Sequence, residues 1–379
     1  MNIRVAHVKQ LLKESNLDAL LVSSVPNIFY LTNYHGFSYE EREAYLLICK
    51  NGQYIITDPR YSEAVKKKVA DFQLMEISGG KTLSDILKEL AKKHQIKKLG
   101  IEEDNLTVAE YKLISSAVNN LNHFTLSDLR AIKNPHEIKE IEKACQLGDK
   151  AFKYILTKVK PGVSEKELAY QLEMFVRQHG AEPSFSSIVA FGKNSAVPHH
   201  TTSNQRLATS NQFVLFDFGV KINNYCSDMT RTVFFGSASA EQKKMYETVL
   251  QAQGLAIEKL NSFYSSSKQS ASRSAGSQLR SNNIEACRID SIARSHVVSQ
   301  GYPTIPHSLG HGIGLQVHES PRLSPNSKDQ LESGMIFSIE PGIYKPGFGG
   351  VRIEDLVVLE EKGPRILTKT PRQLISLSS

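Results

Sequence analysis

Five side chains able to bind a metal follow one another through the second half of this 379-residue chain: Asp217, Asp228, His311, Glu340 and Glu354. Each sits in a glycine-rich or β-branched segment that reads as a strand or a tight turn, so the fold has to gather acidic groups from several separate strands. Four carboxylates and one imidazole make a hard, oxygen-dominated donor set. Such a set carries too much negative charge to stay together in a protein interior unless divalent cations neutralise it, because an unpaired buried carboxylate is strongly disfavoured. A two-metal hydrolytic site is the expectation that follows.

Composition narrows the setting. At 40% hydrophobic and 22% charged residues the chain reads as a soluble globular protein with room for one large or two ordinary domains. The net charge of +7 could point to an anionic partner. Yet Lys66, Lys67, Lys68, Lys92, Lys93, Lys97 and Lys98 are interspersed with ordinary helix and strand patterns, and no recognition motif accompanies them, so they read as a solvated face and no nucleic-acid partner is expected. Cys49, Cys145, Cys226 and Cys287 are far apart, without CxxC pairing or metal-finger spacing, and read as reduced, mostly buried thiols. The N-terminal MNIRVAHVKQLLKES lacks the apolar core of a signal peptide, and no apolar run approaches the roughly 18 residues that span a bilayer. A cytoplasmic protein with no membrane partner is expected.

Along the first third of the chain, helix and strand patterns alternate. Val5, Val8, Leu11 and Leu12 fall at helical spacing; DALLVSS, AYLLICK and YIITD read as strands; SEAVKKKVADF and TLSDILKELAKKHQ read as helices before the strand-like KKLGIEE. This is an α/β unit, and it carries no phosphate-binding glycine fingerprint. A boundary follows at AIKNPHEIKEIEKACQLGDKAF, where Asn134 suits an N-cap, Pro135 the first helical position and Glu137 the third. The domains expected are 1–132 and 133–379. In the second, Ser164 and Glu167 form a further capping box, and strands then dominate at SSIVAF, QFVLFDFGV and MTRTVFFG before the helical EQKKMYETVLQAQGLAIEKL. The helix is expected to end near Leu260. Residues 262–283, serine-rich and poor in apolar side chains, read as a surface loop or insertion. Helical periodicity resumes at IEACRIDSIARSHVVSQGY, and GMIFSIE, GGVRIEDLVVLE and RILTKT are the last strands.

Each acidic position has an ordinary reading beside the metal-binding one. Asp217 in VLFDFGV and Asp228 in YCSDMTRT flank VKINNY, which suits a hairpin reversal that sets the two carboxylates at opposed positions about 5 Å apart; one could equally be a turn residue and the other a surface residue. His307, His311 and His318 are crowded among the glycines of IPHSLGHGIGLQVHE. This is not the zincin helix, since Ser308 stands where HExxH has its glutamate and three glycines would each cost roughly 1 kcal/mol in a helix. Glu340 in FSIEPGIY follows β-favouring residues and precedes a Pro-Gly turn. Glu354 in GGVRIEDLVVL reads as lying inside a strand, where alternation puts Arg352 on the same face and an ion pair between the two is the ordinary explanation.

Taken together, VPHHT, FDFGV to YCSDMTRT, HSLGHGIGLQVHE, IEPGIY and GGVRIED resemble, in order and spacing, the aminopeptidase P and prolidase branch of the pita-bread metallopeptidases (peptidase family M24). SVPNIFYLTNY and IITDPRY resemble the creatinase-type N-terminal domain, so the likeness covers nearly the whole chain. It implies an α/β creatinase-like N-terminal domain followed by an α+β pita-bread catalytic domain. It implies that Asp217 chelates one metal ion, that His311 and Glu340 hold a second, and that Asp228 and Glu354 bridge them. Two divalent ions so placed supply an activated water and a polarised scissile carbonyl. Glu340 would shuttle a proton, His199, His307 and His318 would contact substrate and the developing oxyanion, and Arg352 would lie near the substrate; His200 could be a simple loop residue. Donor hardness favours Mn²⁺, with Co²⁺, Zn²⁺ or Fe²⁺ also able to bind.

The activity implied is hydrolysis of an Xaa-Pro bond, in dipeptides or at the N-terminus of longer peptides, by a homodimer. A prolyl bond lacks an N–H and its ring restricts geometry, so a pocket shaped around that ring discriminates where an ordinary peptidase fails. Three other readings compete. A methionine aminopeptidase usually lacks the N-terminal domain; a non-catalytic pita-bread scaffold loses metal ligands, which this chain retains; a creatinase-like, metal-independent hydrolase is disfavoured by the same retention. The chain departs from the family at 262–283, where a short Pro-Gly turn is usual.

Overall fold

The structure is a computed structural model that describes residues 2–208, 211–271 and 284–378, the side chains of 264–271 excepted. The chain divides into two compact units, Met1–Leu126 and Ser127–Ser379.

In the first unit the runs ALLV and AYLLIC are buried at every position, so both faces of their sheet must be covered. They form the centre of a six-stranded sheet whose spatial order is Gln73–Glu76, Gly52–Thr57, Ala44–Cys49, Ala19–Val22, Lys98–Ile101 and Asn120–His123. The three central strands pair antiparallel, and the outer additions are parallel. Five helices accompany them, Ile3–Glu14, Val25–Thr32, Pro59–Lys68, Leu83–His94 and Val108–Ser115. Lys66, Lys67 and Lys68 occupy the last turn of the third, where cations complement the helix dipole, and all three are exposed.

In the second unit a short helix, Ser127–Ala131, precedes the expected capped helix. The Asn134 side chain accepts hydrogen bonds from the backbone N–H groups of His136 and Glu137, Glu137 returns the favour to the Asn134 N–H, and the helix runs Pro135–Leu156. Ser164 and Glu167 cap the next helix, Glu165–Gln178, in the same way. Strands Ile188–Phe191, Gln212–Phe218, Met229–Phe235 and Ser376–Leu377 make one sheet; Glu319–Leu323, Gly310–Gly312, Ile336–Ile339, Asp355–Glu360 and Gly363–Ile366 make another. Side chains alternate between two cores. Val214, Phe216 and Val233 join one with the two capped helices, while Phe213 and Phe234 join the other with the helices Ala240–Ala271 and Ala286–Ser299. An α/β unit followed by an α+β unit of helix-covered sheets is the architecture expected.

Three local expectations need correction. Gln212–Phe218 and Met229–Phe235 do pair antiparallel, but Asp217 opposes Thr230, not Asp228. The chain between them makes a second, smaller hairpin, with Ile222 opposite Tyr225 and both Asn223 and Asn224 at positive φ, and Asp228 falls just before the paired strand, two residues ahead of Thr230. Glu354 lies in a break between Gly349–Arg352 and Asp355–Glu360, not inside a strand. The helix expected to stop near Leu260 continues to Ala271, so the start of the serine-rich stretch is helical and not loop. Ala256, Ile257 and Leu260 are buried and Phe263 packs beside them, which keeps one face engaged for another turn, and serine extends an existing helix at little cost. Residues 272–283 lie outside the described residues.

The cysteines are free, with Cys49, Cys145 and Cys226 buried and Cys287 half-buried. Among the described residues no helix is long and apolar enough to cross a membrane.

Candidate active site

The four-stranded and the five-stranded sheets of the second unit both contribute backbone to one cluster of acidic and imidazole side chains. Gly310 packs so tightly that an added Cβ would stand 1.9 Å from the Ser338 carbonyl oxygen, and at Gly219 it would stand 2.1 Å from that of Ser227. Only glycine allows these approaches, and they bring the backbones carrying His311, Glu340, Asp217 and Asp228 within side-chain reach of one another.

Ligand-capable oxygen and nitrogen atoms of Asp228, His311 and Glu354 all lie within 4.8 Å of each other. His311 Nε2 is 3.7 Å from Asp228 Oδ2 and 3.3 Å from Glu340 Oε1. Its other ring nitrogen, Nδ1, sits 3.1 Å from the Gly312 carbonyl oxygen, which accepts its hydrogen and leaves Nε2 facing the acids. Glu340 is steadied by Ser338, whose hydroxyl donates to its Oε1 at 3.1 Å and accepts from the His311 N–H at 3.0 Å. Glu354 Oε2 accepts from the Thr230 hydroxyl at 2.8 Å. The other oxygens of the pair, Asp228 Oδ1 and Glu354 Oε1, are buried and make no hydrogen bond among the described residues.

Arg352 lies beside these acids, and its ion pair is with Asp217, not Glu354: Nη2 donates to Asp217 Oδ2 at 2.5 Å. Its Nε donates to the Thr230 hydroxyl at 3.0 Å and its Nη1 to the Tyr344 hydroxyl at 2.9 Å. Tyr344 in turn stands 2.9 Å from His307 Nε2, while His307 Nδ1 donates to the Ser308 carbonyl oxygen at 2.8 Å. The His318 ring meets the His311 ring edge-on, centroids 4.3 Å apart. His199 is exposed, and it interacts electrostatically with Asp217, His307 and His318. His200, read as a simple loop residue, instead reaches the fully buried carboxylate of Glu165 at 2.9 Å.

Electrostatics expose the strain of this gathering. Burial, reinforced by Glu354 and Asp217, pushes Asp228 well above the ordinary carboxylate range. Burial with Glu340 and Asp217 nearby pushes Glu354 up to about 8, and burial raises Asp217 although Arg352 opposes it. Burial would raise Glu340 too, yet the hydrogen bond and charge of His311 hold it at about 2; the same pairing overcomes burial and lifts His311 to about 9. Burial holds His307 below its usual value and Tyr344 up at about 12, so the phenol stays a hydrogen-bond donor. Acids that resist ionising, two of their oxygens unpartnered, and an imidazole nitrogen turned toward them make a donor set suited to a divalent cation. Hard oxygen donors with one imidazole fit such an ion.

Tyr344 and Thr230 were not singled out as site residues in the sequence, although Tyr344 closes the IEPGIY string; nothing local marks a threonine that spans Arg352 and Glu354.

Comparison with known proteins identifies the family. Residues 139–361 match metallopeptidase family M24, and residues 4–132 match the creatinase/prolidase N-terminal domain. The Xaa-Pro dipeptidase of Pyrococcus horikoshii is 34% identical over 388 aligned positions that take in 99% of each chain. Among solved structures, the Xaa-Pro dipeptidase from Bacillus anthracis superposes with a TM-score of 0.87 at 34% identity over 99% of each chain. The X-Pro aminopeptidase from Thermotoga maritima gives 0.81 at 31% identity, over 99% of this chain and 100% of that one. The chain therefore belongs to metallopeptidase family M24, and it is a metal-dependent peptidase of pita-bread fold with a creatinase/prolidase N-terminal domain.

Proposed function

We propose that this enzyme hydrolyses Xaa-Pro bonds at the N-terminus of short peptides, and that Asp217, Asp228, His311, Glu340 and Glu354 together hold two divalent ions. The observation that carries the reading is the cluster of Asp228, His311 and Glu354, with donor atoms within 4.8 Å and two buried carboxylate oxygens unpartnered. When bound, such ions supply an activated water and polarise the scissile carbonyl. The protein's own groups do the rest. Glu340, its carboxylate steadied by the Ser338 hydroxyl, would accept a proton from the attacking water and pass it to the leaving prolyl nitrogen. Arg352 holds Asp217 in place through Nη2 and aligns the Tyr344 hydroxyl through Nη1. Tyr344 donates to His307 Nε2, which fixes that imidazole in its neutral form toward the substrate. His199 and His318 contribute further donors for the substrate and the developing oxyanion. Proline selectivity is supported by the likeness to proteins named Xaa-Pro dipeptidase and X-Pro aminopeptidase.

The test is turnover of an Xaa-Pro dipeptide, an Xaa-Pro tripeptide and a Met-Ala peptide with Mn²⁺, the ion favoured by the oxygen donors, alongside a chelator control. Xaa-Pro cleavage abolished by the chelator is expected, and the tripeptide separates the dipeptidase from the aminopeptidase. Turnover of Met-Ala alone, or indifference to the chelator, overturns the reading. Asp228→Asn should abolish activity and weaken metal loading, read by elemental analysis; full turnover in that variant removes its bridging role.

A further inference from the structure

Glu165 is an unusual residue to bury. It is the first residue of the helix Glu165–Gln178, where a glutamate ordinarily faces water and stabilises the helix dipole from outside, yet its side chain is 0% exposed. A carboxylate in that position is tolerated only if its oxygens are fully hydrogen-bonded. Five donors meet it, and all come from one short segment. Oε1 accepts from the Phe191 N–H at 2.8 Å and from Asn194 Nδ2 at 2.8 Å. Oε2 accepts from His200 Nε2 at 2.9 Å, the Ser203 N–H at 2.9 Å and the Ser203 hydroxyl at 2.6 Å. Releasing any donor leaves a buried charge undersolvated, so the segment 191–203 is held as one piece.

The same segment is tied on its other side to the acid cluster. Arg352 Nη1, whose guanidinium also binds Asp217 and Tyr344, donates to the Pro198 carbonyl oxygen at 3.3 Å, and the Gly350 N–H donates to the Ser195 hydroxyl at 2.7 Å. His199 lies between Pro198 and His200. It is therefore anchored through both neighbours while its own side chain stays exposed.

We propose that Glu165 is a positioning residue for His199, acting through its hydrogen bond to His200. This rests on the reading of His199 as an imidazole that contacts substrate. A shift of about 1 Å in such a group costs about 100-fold in rate, and a wholly buried carboxylate is a stiff reference point for preventing it.

The experiment uses the full-length, metal-loaded enzyme and an Xaa-Pro substrate. Glu165→Gln keeps the size of the side chain but turns an amide toward donors, and kcat/KM should fall about 10- to 100-fold with metal content unchanged. Combined with His199→Ala, it should add little to the loss of His199→Ala alone, because both changes remove the same contact; multiplicative losses overturn the proposal. If Glu165→Gln does not fold, His200 serves. His200→Gln retains a donor near the position of Nε2 and should keep most activity, whereas His200→Phe keeps the ring but not the donor and should lose it. Equal loss in both, or retention in Phe and loss in Gln, overturns the proposal. An independent readout is a slowly exchanging imidazole N–H proton in the NMR spectrum of metal-free protein, present in the native chain and absent in His200→Phe. If His199→Ala alone leaves kcat/KM unchanged, it is the substrate-contact reading that fails, and this outcome is distinct from the others.

Discussion

Tyr344 shows how much can hang on one hydroxyl. It accepts from Arg352 and donates to His307, and burial keeps it protonated. In Tyr344→Phe, Arg352 loses one partner of several while His307 Nε2 loses the hydroxyl that donates to it. We expect kcat/KM to fall about 10- to 100-fold while thermal unfolding shifts by only about 1–2 kcal/mol; an active variant with native kinetics would remove Tyr344 from the reaction. At this scale the sequence was most informative about acids and least about neutral partners. Asp217, Asp228, His311, Glu340 and Glu354 stand out because carboxylates in β-rich segments are chemically anomalous. Thr230 and Ser338 are ordinary strand residues until the Glu354 and Glu340 carboxylates are found beside them.

The elements matter through how closely they approach. The strand Gly310–Gly312 crosses Ser338 with no room for a methyl group, and the Ser338 hydroxyl links the His311 N–H to Glu340. Gly310→Ala must therefore push the strands apart. We expect a loss of stability of about 1–3 kcal/mol and, with His311 displaced from the acids, weaker metal loading; calorimetry and metal analysis read the two effects separately, and a stable variant with native loading would contradict this account. Capping boxes at Asn134 and Ser164 and the alternation of strands were legible in the sequence because they are local patterns. The extension of the helix to Ala271 was not legible. Its composition is that of a loop, whereas Phe263, three residues past Leu260, packs against the core and keeps that helix face engaged.

For the whole molecule, the acid cluster makes stability, pH and metal interdependent. In metal-free protein Glu354 is raised to about 8 and His311 to about 9, so both hold protons that the unfolded chain has already released. Their contribution is full below the ordinary values and is lost as pH rises through the folded ones, by up to about 1.4 kcal/mol per group per pH unit. The melting temperature of metal-free protein should thus fall between about pH 5 and 9, and divalent ions, which replace the protons, should flatten that fall. Glu354→Gln should remove its share of the slope without metal. A slope unchanged by either the ion or the substitution would refute the linkage.

Legible from the chain alone were the α/β and α+β parts, the identity of the acidic and imidazole groups, and the need for cations to hold them together. These follow from periodicity, capping chemistry and the cost of burying charge, all of which act within short stretches of chain. Which group meets which emerges only in the packed molecule: Arg352 pairs with Asp217 and not Glu354, Asp228 stands two residues ahead of Thr230, the partner of Asp217, and Glu165 reaches across to His200. Such pairings depend on angstrom-scale approach between segments more than a hundred residues apart in several cases, and no local pattern encodes that distance.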